Sequence, residues 1–429
     1  MEISIDRIEV SGNELRYKPR MPRPLRKYFI TDTFSIKYDS AIDLEKTGES
    51  ILAIPIVSMV APIAWAVGAD VRVRELDATY LEAMANIKDI FRDICPQFSY
   101  SGNIHAEKAV VNTFGGSRTL LPFSGGVDSL TSYLRHKEEK PDLVLVCGVQ
   151  VPLFEREYWR GMRSDILSIA NRDGIKALFI DTSLLRDINF ELLSRQFGIE
   201  WIEHIAGDLV LLGVCAPITA PRAIGTVLIA ASHTADDKES SAARPFIDEK
   251  VSWAGVRVVH DGYELRRQQK LGYICQTGDM GYLSKLRVCR ESVVRENCGK
   301  CEKCFRTIVG LTVEGVDPNN CNFSVDRRTF AHIKDCFIKG KTALDESRRF
   351  EWEGIQKLLP EHIDTDIHGS REFLEWFREF DLSKYKANRV RHFLWDVNRL
   401  YRNKRIKGPS IKRKVKSYYY IALSRLGLA

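Results

Sequence analysis

The chain has 429 residues, a net charge of +7, and 44% hydrophobic and 28% charged residues. That balance excludes a disordered, collagen-like or disulfide-scaffold protein and leaves room for two or three globular domains. The charge is uneven: residues 386–429 hold 13 Lys and Arg against the single acid Asp396, a net +12 that leaves −5 on residues 1–385.

Residues 1–115 open on short alternating stretches, "MEISIDRIEV" and "KYFITDTFSIKY", that predict strands. The uncharged run "ILAIPIVSMVAPIAWAVGA" (51–69) is long enough to raise the question of a membrane. Its two prolines and charged flanks predict a buried strand-loop-helix instead, and no membrane contact is expected. "DVRVREL" predicts another strand, and "ATYLEAMANIKDIFRDI" a helix with Leu81, Met84, Ile87 and Ile90/Phe91 on one face. We expect an N-terminal α+β domain over 1–115.

From residue 116 the pattern becomes strand-helix alternation. Strands are predicted at "RTLLPF", 142–149, 176–181 and 225–232, with helices after Ser129, over "YWRGMRSDILSIANRDG" (ending at Gly174) and over "GDLVLLGVCAPI". Short apolar strands separated by helices predict a parallel sheet with helices on both faces, which binds ligands at the carboxyl ends of its strands. This α/β domain is expected over 116–338. A helical, basic region is expected over 339–429, its tail 386–429 a candidate for nucleic acid or an acidic protein. Trp395, Tyr401 and Tyr418–Tyr420 could stack bases there or serve as core aromatics. No repeat, low-complexity linker or export signal is apparent, so a cytoplasmic, reducing setting is expected.

The first predicted strand of the sheet runs into "SGGVDS" (124–129). Gly125 and Gly126 permit positive φ and close approach of a ligand to the backbone. Ser124 and Ser129 supply hydroxyls, and the helix after Val127 turns its positive end to the turn. Asp128, a carboxylate beside an expected polyanion, implies Mg2+ or a capping duty. The string is neither a Walker loop nor a dinucleotide fingerprint. It resembles the pyrophosphate loop of the PP-loop ATP pyrophosphatase superfamily, which cleaves ATP to AMP and pyrophosphate.

"CRESVVRENCGKCEKC" places Cys289, Cys298, Cys301 and Cys304 at spacings of nine, three and three. Two overlapping C-x-x-C steps and a fourth thiol match a four-cysteine Zn2+ site, with an iron–sulfur cluster as the competing metal. Arg287, Arg290, Lys300 and Lys303 would offset its charge. Four protein ligands leave no open position, so a structural zinc near the ATP site is expected. Cys95, Cys147, Cys215, Cys275, Cys321 and Cys336 read as scattered small hydrophobes.

Loop and cysteine spacing together, in this order, resemble the 7-cyano-7-deazaguanine synthase family over about 118–310, with "IDTSLL" (180–185) as a third match. The resemblance implies ATP-dependent activation of 7-carboxy-7-deazaguanine, addition of ammonia and dehydration to a nitrile. It implies that Ser124, Gly125, Gly126, Val127, Asp128 and Ser129 hold the phosphates and Mg2+, with Ser124 and Asp128 in catalytic roles. Asp181 and Thr182 would lie near the nucleotide, and the four cysteines would bind zinc.

Departures fall where the family shapes its substrate pocket. Its Tyr-Gly-Gln-Arg-His stretch is here "CGVQVPLF", with only Gly148 and Gln150 suggestive. Its Pro-Gly-Arg-Asn helix start is "IAGDLVL" around Gly207 and Asp208, and only Arg244 and Pro245 remain of its Arg-Pro-Glu-Phe segment. A different acceptor follows, and the extra N-terminal and basic regions suit a protein acceptor, as in family variants of bacterial antiphage defence. The alternatives are a tRNA-modifying PP-loop enzyme or a non-catalytic nucleotide-sensing subunit.

His233 is expected to be structural, and Asp236, Asp237, Asp248 and Glu249 to lie on a solvated loop. One or two of Glu264, Arg266, Arg267 and Lys270 are expected to contact a phosphate or carboxylate.

Overall fold

The computed structural model describes residues 1–39, 42–114, 116–150, 156–237, 244–289, 296–342 and 344–386. The chain forms two compact units, one over residues 1–287 and one from residue 288 onward. The expectations for the basic tail after residue 386 and for Arg290 lie outside the described residues.

Twelve strands are described: β1 (Glu2–Ile5), β2 (Ile8–Ser11), β3 (Glu14–Tyr17), β4 (Phe34–Lys37), β5 (Asp70–Asp77), β6 (Ile104–Val110), β7 (Arg118–Pro122), β8 (Asp142–Cys147), β9 (Ala177–Thr182), β10 (Ile224–Ala230), β11 (Ser252–Trp253) and β12 (Val256–Asp261). β1, β5 and β6 make a small parallel sheet. The other nine form one mixed sheet in the order β11-β12-β10-β7-β8-β9-β4-β3-β2. Its centre, β12-β10-β7-β8-β9, is parallel, and β11 and β4-β3-β2 add antiparallel flanks.

Numbered among themselves in chain order, the five parallel strands run 5-4-1-2-3. The chain leaves β7 in one direction to β8 and β9, then returns past β7 to β10 and β12. That reversal between β7 and β10 is a topological switch point, where connecting loops diverge and open a crevice at the carboxyl ends. All four strands expected for the sheet are present. The fifth, β12, escaped the sequence reading although "VRVVHD" alternates buried and exposed through its first residues.

The expected boundary at 115/116 does not separate compact units. β4 pairs antiparallel with β9, Lys37 opposite Asp181 and Ile36 opposite Thr182, so β2–β4 extend the sheet of the α/β region. Composition shows that a segment is strand-like but not which edge it will cover. The expected boundary at 338/339 also differs, because the division falls just before the cysteine segment.

The apolar run 51–69 differs from its expectation too: it holds one buried helix, Ile54–Val67, after the short helix Glu49–Leu52. Pro55 falls in the first turn, where a missing N–H costs nothing, and Gly68 at φ 68° ends the helix in the left-handed region. Apolar residues on every side mark it as a core helix. It packs on helix Gly207–Thr219, where a Cβ on Gly213 would lie 2.4 Å from Ser58 Oγ. Tyr38 Oη donates to the Val214 carbonyl at 3.0 Å, which ties the N-terminal segment to the same helix. Among the described residues, Ile202–Thr219 is long and apolar enough to cross a membrane by length and composition, and 72% of it is buried inside the fold.

The second unit is helical among its described residues, with Glu302–Val313, Arg327–Ile338, Glu346–Gln356 and Arg371–Glu379. Its core is aromatic. Phe337 meets Trp352 with ring centroids 4.9 Å apart and a near-perpendicular 88°, and Phe373 stacks on Phe377.

Candidate functional site

β7 ends at Pro122, and buried Phe123 still donates its N–H to the Val144 carbonyl, so the next residues leave the sheet at the switch point. Gly125 takes φ 69°, and Gly126 (φ −79°, ψ 172°) caps helix Val127–Arg135. Val127 is buried under the turn. Ser129, also buried, closes the loop: its Oγ lies 3.2 Å from Ser124 Oγ, accepts the Ser124 N–H at 3.3 Å and donates to the Gly126 carbonyl at 3.4 Å. From the other side, Arg287 N–H donates to the Gly125 carbonyl at 2.8 Å. A Cβ on Gly126 would stand 3.3 Å from the Arg287 carbonyl oxygen, tight enough to favour glycine. Ser124, Gly125, Gly126 and Asp128 remain half-buried, facing the region that the helix N-terminus polarises positively.

Asp128 is held by cations. Arg267 donates to its Oδ2 at 3.2 Å, and Lys270 Nζ stands 3.8 Å from Oδ1. Both project from helix Arg267–Gln276, which packs against the loop's own helix. The Lys270 side chain is 3% exposed, and its ammonium donates to the Ala231 carbonyl at 2.6 Å. Arg267 and Lys270 thus bring two cations to the loop's carboxylate, beside the positive end of helix Val127–Arg135.

Asp181 is the penultimate residue of β9, two strands from β7 or about 10 Å across the sheet. Burial raises its pKa against the opposing charges of Arg163 and Lys37, and its Oδ1 has no hydrogen-bond partner. Thr182 is buried and its hydroxyl is engaged locally, donating to the Ser35 carbonyl at 3.4 Å and accepting the Leu184 N–H at 3.2 Å. The structure therefore gathers Ser124–Ser129 into one loop and leaves Asp181 and Thr182 apart from it.

The expected solvated loop is only partly so. Asp236 is exposed and paired with Arg266 at 2.8 Å, but Asp237 is buried beside His233 at 3.0 Å. Asp248 is fully buried, its Oδ2 2.7 Å from His260 Nδ1. His260 stands on β12, the strand that sequence reading missed, and only that strand's alternation could have disclosed it.

In the second unit, the four cysteine sulfurs lie within 4.8 Å of one another. Cys289–Cys301 and Cys298–Cys304 are 4.0 and 3.7 Å apart. A tetrahedral zinc with Zn–S of about 2.3 Å requires S···S edges of about 3.8 Å, so the donors fit one Zn2+, and the separations are far from a disulfide's ~2.05 Å. Asn297 Oδ1 accepts the N–H groups of Val288 and Cys289 at 3.0 and 3.1 Å, and Lys300 N–H donates to Cys298 Sγ at 3.4 Å. The four cysteines could hold a metal ion such as zinc. No family model, curated protein or solved structure matches the chain.

Proposed function

We propose that the chain is an AMP-forming, ATP-dependent carbon–nitrogen ligase resembling the 7-cyano-7-deazaguanine synthases of the PP-loop superfamily. It adenylates a carboxylate of the 7-deazaguanine-acid type and passes the acyl group to a nitrogen nucleophile, which is ammonia or an amine on a protein acceptor. An acceptor protein would suit a variant of this chemistry used in antiphage defence.

The observation that carries the reading is the position of Ser124–Ser129: a glycine turn opening a helix at the switch point, with Arg267 and Lys270 converging on Asp128. Ser124, Gly125, Gly126 and Ser129 would receive the phosphates through backbone N–H groups and hydroxyls. Arg267 and Lys270 would gain anionic oxygens as partners alongside Asp128. Asp128 is the loop's carboxylate suited to Mg2+, which would supply charge neutralisation of the polyphosphate. Fixed donors aimed at the α-phosphoryl oxygens would stabilise charge as the carboxylate attacks and pyrophosphate leaves. Zn2+ on Cys289, Cys298, Cys301 and Cys304 would be structural, having no open coordination position.

The test is mass spectrometry of a reaction containing the protein, Mg-ATP, 7-carboxy-7-deazaguanine and ammonium, with AMP and pyrophosphate quantified. Amide or nitrile with stoichiometric AMP is expected, and Asp128→Ala is expected to lower turnover at least ~100-fold. ADP as product, or turnover equal in the unaltered and Asp128→Ala proteins, would overturn the reading.

A further inference from the structure

Residues 16–28, "RYKPRMPRPLRKY", hold six cations and no acid. Without those cations residues 1–385 would carry −11 rather than −5. β3 ends at Tyr17, and three residues on, Ser4 and Arg20 exchange backbone hydrogen bonds at 2.9 and 2.8 Å. Burial alternates as in a strand: Tyr17, Pro19 and Met21 are buried, and Arg16, Lys18 and Arg20 are exposed. A turn follows, in which Leu25 N–H donates to the Pro22 carbonyl at 2.9 Å, and then the single 3-10 turn Arg26–Tyr28. From residue 16 to residue 27, every exposed residue except Pro24 is a cation.

The backbone beneath these cations is pinned. Tyr17 Oη donates to the Leu52 carbonyl at 2.8 Å, Tyr28 Oη to Gln196 Oε1 at 3.0 Å, and Asn189 Nδ2 to the Lys27 carbonyl at 3.0 Å. Pro19, Pro22 and Pro24 remove further backbone freedom. Arg26 Nε donates to the Met21 carbonyl at 3.2 Å, which folds its side chain back onto the turn. Arg16 pairs with Glu14 at 2.8 Å and Arg20 with Asp6 at 2.6 Å, both on the surface, where such pairs contribute little. Lys18, Arg23, Arg26 and Lys27 have no carboxylate partner among the described residues.

We propose that this strip binds the phosphate backbone of single-stranded nucleic acid, a function separate from the adenylation reading. A fixed row of like charges calls for a polyanion whose own charges come in a row. Alternate residues of a strand repeat every ~6.7 Å, on the order of the step between successive phosphates in an extended single strand. Arg16, Lys18 and Arg20 can therefore each meet one phosphate, and the guanidinium forks can take its oxygens in pairs.

Binding is independent of sequence, because Tyr17 and Tyr28 are buried and the strip presents no ring on which a base could stack. A protein partner is disfavoured: Met21 and Leu25 are buried too, so the strip lacks the exposed apolar anchors that protein interfaces centre on. The chain's own tail, at +12, is repelled.

The experiment measures fluorescence anisotropy of a labelled oligouridylate of about 20 nucleotides with the full chain, without ATP, over about 50–200 mM KCl. The test variant combines Lys18→Gln, Arg23→Gln, Arg26→Gln and Lys27→Gln. Its affinity is expected to fall at least ~10-fold at the lowest salt, and its slope of log affinity against log salt to become shallower by about 3, or ~0.7 per lost contact. The tail is intact in both proteins, so the difference reads the strip alone.

A control that combines Lys46→Gln, Arg92→Gln, Lys108→Gln and Arg257→Gln, exposed cations elsewhere in the first unit, should keep the unaltered slope. So should the charge-retaining pair Arg23→Lys and Arg26→Lys. Melting temperatures check folding, and Lys18→Gln and Arg23→Gln taken singly should each lower the slope by about 0.7 if the combined variant is unstable. An unchanged slope in the strip variants, an equal loss in the control, or no binding by the unaltered chain at the lowest salt would overturn the proposal. Binding to phosphatidylserine vesicles that the strip variant loses, without binding to oligouridylate, would overturn it in favour of an anionic lipid surface.

Discussion

Asp128 illustrates how one residue's meaning changes with its neighbours. Beside two glycines it is a candidate metal ligand, and the fold then supplies Arg267 and Lys270 from a helix far along the chain. An arginine that held only its own carboxylate could be removed without cost to nucleotide binding. One that also holds phosphate could not. Arg267→Ala is therefore expected to raise KM for ATP about tenfold, equivalent to one charge-assisted hydrogen bond, with Arg267→Lys intermediate because it loses the fork geometry. Steady-state kinetics with ATP varied decides it, and an unchanged or lower KM would confine Arg267 to its partnership with Asp128. The loop itself was legible from sequence because all its chemistry is local. The cations opposite were legible only as a set, since nothing in "ELRRQQK" says which side chain turns inward.

At the scale of elements, the cysteine segment is the most self-contained. Its four sulfurs converge with no disulfide and with Asn297 bracing the backbone at Cys289, so a metal would hold the turn before helix Glu302–Val313. Elemental analysis is expected to find about one zinc per chain. Cys301→Ser should lower that content and reduce the melting temperature by roughly 5 °C or more. Iron with visible absorbance would instead identify the cluster as an iron–sulfur centre. Spacing made this centre readable, because C-x-x-C steps leave few geometries. Helix Ile54–Val67 was not readable in the same way: a fully buried apolar run has no polar face, so periodicity could not separate strand from helix, and its prolines misled towards a loop. β12 was lost for a related reason, its short alternation ending at the buried His260 and Asp261.

At the scale of the molecule, strands from the two ends of the first unit share one sheet. Order within a sheet is long-range information that local pattern does not contain, which is why an N-terminal domain was expected and an extended sheet is found. Deleting residues 1–37 would uncover the β9 edge and the core beneath β3 and β4, where Leu15, Tyr17, Phe34 and Ile36 are fully buried. An exposed strand edge invites pairing between chains. The truncated protein should therefore aggregate, as size-exclusion chromatography with light scattering would show. A soluble, monomeric fragment would mean that the segment is a dispensable addition.

The pairing of Lys37 with Asp181 also sets a timetable for the ribosome. β4 emerges long before the strand it must join, and at 5–20 residues per second the wait is roughly 7–30 s. During that interval β2–β4 can form their own meander but have no sheet to extend. The nascent chain therefore spends its early life with an unpaired, apolar strand that needs shelter, and assembly of the parallel sheet and docking of the N-terminus become a single late event.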